Sequence, residues 1–246
     1  MENYYRMNQE RVLLPVRSTR QRNSECAIAA ATTMARFYDK DITYKEVRKL
    51  VPRSIIKKQE GMWTSQEARI LNKLGFSKVT IVTADLDTFD FSWSYLSKEK
   101  MIEKLKQVEK QCLKNNNIDN KKYTHDIIVW LSDPECDNQI IIDQDFSKYI
   151  RRSLQQGGPV GASVNWTSLH RFKKHRVKKS VPGDIEGDSE YHAIVIRGYD
   201  DSDIFVVDSL TSIYKGQLKK FKNGYYKISW EKFLVNAPTG DLILID

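Results

Sequence analysis

The sequence predicts an α+β fold. Helical patterning dominates the first half of the chain, and alternating strand-like segments dominate the part after residue 145. No internal repeat or low-complexity linker separates the two. The 246 residues carry 40 Lys+Arg against 32 Asp+Glu, a net charge of +8. Hydrophobic residues make up 40%, enough for a sizeable core, which excludes a disordered or fibrous chain.

The elements follow in order. Val12-Leu13-Leu14 is a short apolar piece stopped by Pro15. Cys26 to Tyr38, rich in alanine, predicts a buried helix, with Ser24 as its N-cap and Glu25 adding favourable charge in the first turn. A second helix starts at the Thr43/Glu46 capping box and ends at Pro52, and a third runs from Thr64 to Gly75. Lys78–Thr83 alternates as a strand. Lys98–Leu113 is amphipathic, with Met101, Leu105, Val108 and Cys112 on one face. Asp126–Ser132, DIIVWLS, reads as a strand. Phe146–Gln156 is a helix ending at Gly157-Gly158, and Pro159–Trp166 is a strand. Tyr191–Tyr199 and Ile204–Asp208 form a hairpin around Asp200-Asp-Ser-Asp. Tyr225–Ile228, a short helix Trp230–Val235 and the strand Leu242–Ile245 follow.

Composition narrows the function. The longest unbroken apolar run is six residues, Cys26–Ala31, far short of the roughly 20 of a membrane helix. The opening residues carry no apolar signal region, and three scattered cysteines make no disulfide scaffold. The expected setting is therefore a reducing, cytoplasmic one, with export by a route that uses no cleavable N-terminal signal as the alternative. There is no CxxC pair, no P-loop and no GxSxG element, so no metal and no cofactor is expected.

Four residues stand in an order that suits thiol chemistry: Gln21, Cys26, His192 and Asp208. A cysteine in the first turn of a helix sits at the positive end of the macrodipole, which favours its thiolate. His192 is placed to take and return the thiol proton. The hairpin brings the start of one strand beside the end of the next, so Asp208 can orient His192. Gln21 and the Cys26 backbone N–H together can hold an oxyanion. Taken singly, each residue has an ordinary structural reading: a small buried cysteine, a polar histidine, a turn aspartate.

The segments QRNSECAIAAATTMARFYDKDITYKEV, GGPVGASVNW, YHAIVIRGYDDSDIFVVDS and ISWEKFLVNAPTGDLILI together resemble the papain-like cysteine peptidases, most closely the C39-like branch. The resemblance covers about residues 18–75 and 145–246. It implies a two-lobed papain-like fold with an N-terminal helical lobe and a C-terminal antiparallel sheet lobe. It also implies Cys26 as nucleophile, His192 as base, Asp208 as orienting residue and Gln21 as oxyanion donor. Three positions depart from the family pattern. Ala27 replaces the usual Gly, Ser209 replaces the usual Pro, and Gln21 is five residues before Cys26 rather than six.

The expectation is one papain-like domain over residues 1–246, with an inserted or divergent segment at about 84–145. The activity expected is peptidase or amidase hydrolysis through a thioester. Transglutaminase, deamidase or acyltransferase chemistry would use the same triad, and an inert basic binding module is the non-enzymatic alternative. His170–Lys179 holds six Lys/Arg and two His in ten residues. It suggests a substrate with an acidic segment, or nucleic acid as the less favoured partner. Trp63, Trp166, Lys173 and Lys174 are candidate substrate contacts.

Overall fold

The computed structural model describes residues 11–58, 61–171, 174–176, 181–210, 222–237 and 240–245. The fold is α+β, built on an eight-stranded sheet. Strand β1 (Val12–Leu13) precedes four helices, α1 (Cys26–Phe37), α2 (Tyr44–Lys49), α3 (Arg53–Lys58) and α4 (Thr64–Lys73). Then come β2 (Val79–Thr83), α5 (Lys98–Lys114), α6 (Ile118–Leu131), β3 (Gln139–Ile142) and α7 (Phe146–Gln155). The remainder is β4 (Val160–Asn165), α8 (Trp166–His170), β5 (His175–Arg176), β6 (Val181–Pro182), β7 (Tyr191–Tyr199), β8 (Asp203–Val207), β9 (Tyr225–Ser229), α9 (Trp230–Asn236) and β10 (Asp241–Ile245).

The sheet order is β3-β2-β10-β4-β7-β8-β9, with β1 added to β7. The β2–β3 pair is parallel and every other pairing is antiparallel. Alternation along β10 separates two cores. Ile243 and Ile245 join the cluster beneath α1, α4, α5 and α6, whereas Leu242 and Leu244 join the one beneath α7, α8 and α9. Gly198 lets β1 dock on β7, since a Cβ there would lie 2.3 Å from the Val12 carbonyl oxygen.

Several expectations change. Asp126–Ser132 is not a strand; it lies at the end of α6. Thr124, Ile127, Ile128 and Leu131 recur at helical spacing and are buried. Packing of that face against α5 outweighs the β-propensity of Ile127, Ile128 and Val129. Ser24 is not the cap of α1. Glu25 holds that position, and its side chain makes no cap bond. Arg48 engages its carboxylate instead, with a closest approach of 2.9 Å, and the Tyr44 hydroxyl donates to it. The Thr43/Glu46 capping box is present. Residues 84–145 supply β3 to the sheet edge, and their helices α5 and α6 bury Leu105 and Trp130 completely.

Candidate active site

Cys26 opens α1. Ala27, Ala29, Ala30, Ala31 and Ala35 are buried along the helix, and short side chains let it lie close to the sheet. The closeness is visible at Gly161 of β4, where a Cβ would sit 3.1 Å from Met34 Sδ. Cys26 itself is half-buried, at the wall of a cleft of about 1850 Å³ that it shares with Gln21, Trp63, Trp166 and His192. No side chain caps the amides of the first turn, so they add positive potential at the thiol.

His192 lies on β7, and Asp208 immediately follows β8. Their antiparallel register, which pairs Val195 with Val207, closes the strands on each other. His192 Nε2 lies 2.8 Å from Asp208 Oδ1. That leaves Nδ1 as the ring nitrogen available to Cys26, whose thiol pKa the ring lowers. Asp208 is completely buried and held from several sides. Its Oδ1 also accepts from the Leu210 amide at 2.7 Å, and its Oδ2 from the Tyr226 hydroxyl at 2.9 Å. Its amide donates to the Gly224 carbonyl at 2.8 Å, and its carbonyl accepts from Ser18 Oγ at 2.7 Å. Gly224 has φ +79°, and a Cβ there would lie 2.2 Å from the Asp208 carbonyl oxygen, so both conformation and space require glycine.

The charges reinforce one another. Burial alone would lower the His192 pKa, but the charge and hydrogen bond of Asp208, helped by Cys26, raise it from 6.5 to about 10. Burial would raise the Cys26 thiol. The hydrogen bond and charge of His192, with the amides of Ala193 and Ala27, bring it below its ordinary value instead. The arrangement shifts the proton from Cys26 toward His192 and so favours the thiolate–imidazolium form.

Gln21 is fixed beside the cleft by Ser209. The Gln21 amide donates to the Ser209 carbonyl at 3.2 Å, and Ser209 Oγ donates to Gln21 Oε1 at 2.6 Å. Gln21 Nε2 donates to the Asn23 carbonyl. The serine that stands where the family usually has proline thus positions the amide. Trp166 is buried, with its ring centroid 4.4 Å from that of His192, so it covers the imidazole while lining the cleft. Trp63 lines the cleft edge-to-face with Tyr123 at 5.9 Å. Lys174 is exposed, and Lys173 lies outside the described residues, as does half of the basic run. His170 belongs to α8 and is half-buried against Trp166, where burial takes its pKa down to about 4. Among the described residues no three His, Cys, Asp or Glu side chains gather as metal ligands.

Sequence reasoning did not single out Tyr226, Gly224 or Glu67. Tyr226 lies inside the predicted strand Tyr225–Ile228, and Gly224 directly precedes it. Glu67 lies inside the predicted helix Thr64–Gly75. None of the three carries a local signal that points to Cys26 or Asp208.

The sequence profile described as "Peptidase_C39 like family" matches residues 3–235. The chain belongs to that family. The match runs through residues 84–145, the part that the four sequence segments left uncovered. A crystal structure from Bacillus anthracis, described as that of a candidate C39-like peptidase, aligns with 96% of this C39-like chain and 98% of its own. The two share 11% identity at a TM-score of 0.45. Among curated proteins, none matches the sequence.

Proposed function

We propose that this C39-like chain is a cysteine peptidase acting on peptide or protein substrates, with Cys26 as nucleophile, His192 as acid and base, and Asp208 as the orienting carboxylate. The observation that carries the reading is the 2.8 Å contact of His192 Nε2 with Asp208 Oδ1, in a cleft that His192 shares with Cys26. The Cys26 thiolate attacks the peptide carbonyl carbon. The tetrahedral oxyanion is held by the Cys26 backbone N–H, with Gln21 Nε2 as second donor. Collapse expels the amine, which takes the proton from His192, and leaves a thioester on Cys26. Neutral His192 then takes a proton from water as it attacks the thioester, releasing the acid and restoring the thiol. Asp208 keeps Nε2–H engaged throughout, so Nδ1 always faces the sulfur.

Incubation with a diverse peptide pool, read by mass spectrometry, tests the reading. Wild type yields new N- and C-termini, and Cys26→Ala yields none while its melting temperature stays within a few degrees. Mass changes of −17 or +1 without chain cleavage would reassign the same triad to transglutaminase or deamidase chemistry. Cleavage by Cys26→Ala at the wild-type rate would remove Cys26 from the mechanism.

A further inference from the structure

Glu67 lies in the first turn of α4, 5% exposed, and it lines the cleft that holds Cys26 and His192. Its Oε1 is buried without a hydrogen-bond partner. Among the described residues no Lys or Arg forms an ion pair with it, and the charges it feels are those of Cys26 and His192. A buried carboxyl oxygen with no partner is costly to keep, and native structures keep few of them without a use. Burial, together with the Cys26 charge, holds Glu67 protonated well above the ordinary carboxyl range. In that neutral form it neither cancels the His192 charge nor opposes the Cys26 thiolate.

Its surroundings suggest what would complete it. Asp85, Asp87 and Glu190 line the same cleft with no ion pair among the described residues. Asp126 and Asp119 line it too, engaged by Arg69 at 3.6 Å and Lys122 at 3.3 Å. Seven carboxyl side chains line the cleft, Glu67 and Asp241 included, against the four bases Arg20, Arg69, Lys121 and Lys122, so acids outnumber bases there in a chain whose net charge is +8.

We infer that Glu67 is a specificity-determining residue that receives the cationic side chain of a substrate lysine or arginine flanking the bond attacked by Cys26. The inference rests on the proposed peptidase reading for the bond, and on the cleft alone for the binding. A cation entering the cleft supplies the missing partner and draws the carboxyl into its ionised form. The ion pair so formed is neutral overall, so the Cys26–His192 pair beside it is left undisturbed. A neutral side chain leaves the Glu67 oxygen orphaned and loses that gain. The basic run His170–Lys179 suggested an acidic substrate segment; the acids of the described cleft favour a basic one.

Two measurements with one peptide set test this. Octapeptides of neutral residues carry a single lysine, or norleucine in its place, at each position in turn. Binding is read on Cys26→Ala protein, with and without Glu67→Gln, and cleavage is read on wild type and Glu67→Gln. Lysine at one position is expected to improve both binding and kcat/KM at least about tenfold over norleucine. In Glu67→Gln that ratio falls to within about twofold of one. General attraction by a chain of charge +8 would favour acidic peptides, so a lysine preference reports the cleft. A lysine preference in binding without any cleavage leaves Glu67 in its role and sinks the peptidase reading. Cleavage with no lysine preference, or a preference that survives Glu67→Gln, overturns the inference and leaves the peptidase reading standing. Absence of both removes both.

Discussion

Asp208→Asn isolates the contribution of one charge. The asparagine oxygen can still accept from His192 Nε2 and from the Leu210 amide, bonds of 2.8 and 2.7 Å in the wild type. The shape is kept while the charge is lost. In the wild type the His192 pKa rises from 6.5 to about 10. At about 1.36 kcal/mol for each tenfold change, that is on the order of 5 kcal/mol in favour of the imidazolium. Coulomb's law supports the size, since opposite charges about 4 Å apart at an effective dielectric of about 20 attract by about 4 kcal/mol. Without the Asp208 charge, burial dominates and His192 falls to its ordinary value or below. Cys26 then loses its cationic partner and titrates as a common thiol near about 8.5. The assay is iodoacetamide alkylation between pH 5 and 10 with peptide mass mapping. Cys136 serves as an internal reference, because burial and the charges of Asp133 and Glu135 raise its thiol. At pH 6 the Cys26 rate should fall about tenfold to a hundredfold in the variant, the lower reactivity of low-pKa thiolates trimming the full effect. An unchanged Cys26 profile at pH 6 would refute the assignment of Asp208 as the charge that maintains the pair.

Two further outcomes follow from the structure. Gly224→Ala places a side chain at φ +79° and 2.2 Å from the Asp208 carbonyl oxygen. It should cost at least about 1–2 kcal/mol from the backbone alone, a drop of several degrees in melting temperature, and displace Asp208 enough to slow Cys26 alkylation at pH 6. Asp241, on β10, is buried, and burial raises its pKa from 3.8 to about 6 against the hydrogen bonds of Thr64 and Thr83. The folded state therefore binds the proton more tightly, and stability present below pH 3.8 is lost as pH rises through about 6. Asp241→Asn removes that loss. Melting temperatures at pH 4 and pH 8 should show little change at the first and a gain at the second, up to the order of 3 kcal/mol.

The strands carrying His192 and Asp208, and the helix opened by Cys26, were legible because each depends on local signals. Alternation, turn residues and a small-residue helix start do not need distant partners to be recognised. The hairpin reading was enough to bring His192 to Asp208. What escaped was decided by distant contacts. Ile127 and Ile128 favour strand in isolation, and only α5 beneath them makes them helical. β3 is a short strand, QIII, whose paired residues in β2 are 59 positions away across two helices. The interest of Glu67 lies wholly in what surrounds it, and a glutamate at a helix start is ordinary on every local criterion. Ser209 acts through its hydroxyl on Gln21, 188 residues away in sequence, a contact that no local pattern carries.

The place of β10 governs how the protein is assembled. It follows every other described strand in sequence, yet it pairs with β2 on one side and β4 on the other. Until it arrives, β2 and β3 can form no ladder with the strands that carry His192. During synthesis on the ribosome, two partial sheets with open edges must wait side by side, exposed to wrong pairing. Asp241 enters that gap together with the strand and brings a carboxyl that burial keeps protonated below about pH 6. Closing of the sheet by this strand is therefore linked to proton binding, and the closed sheet is favoured more below about pH 6 than above it.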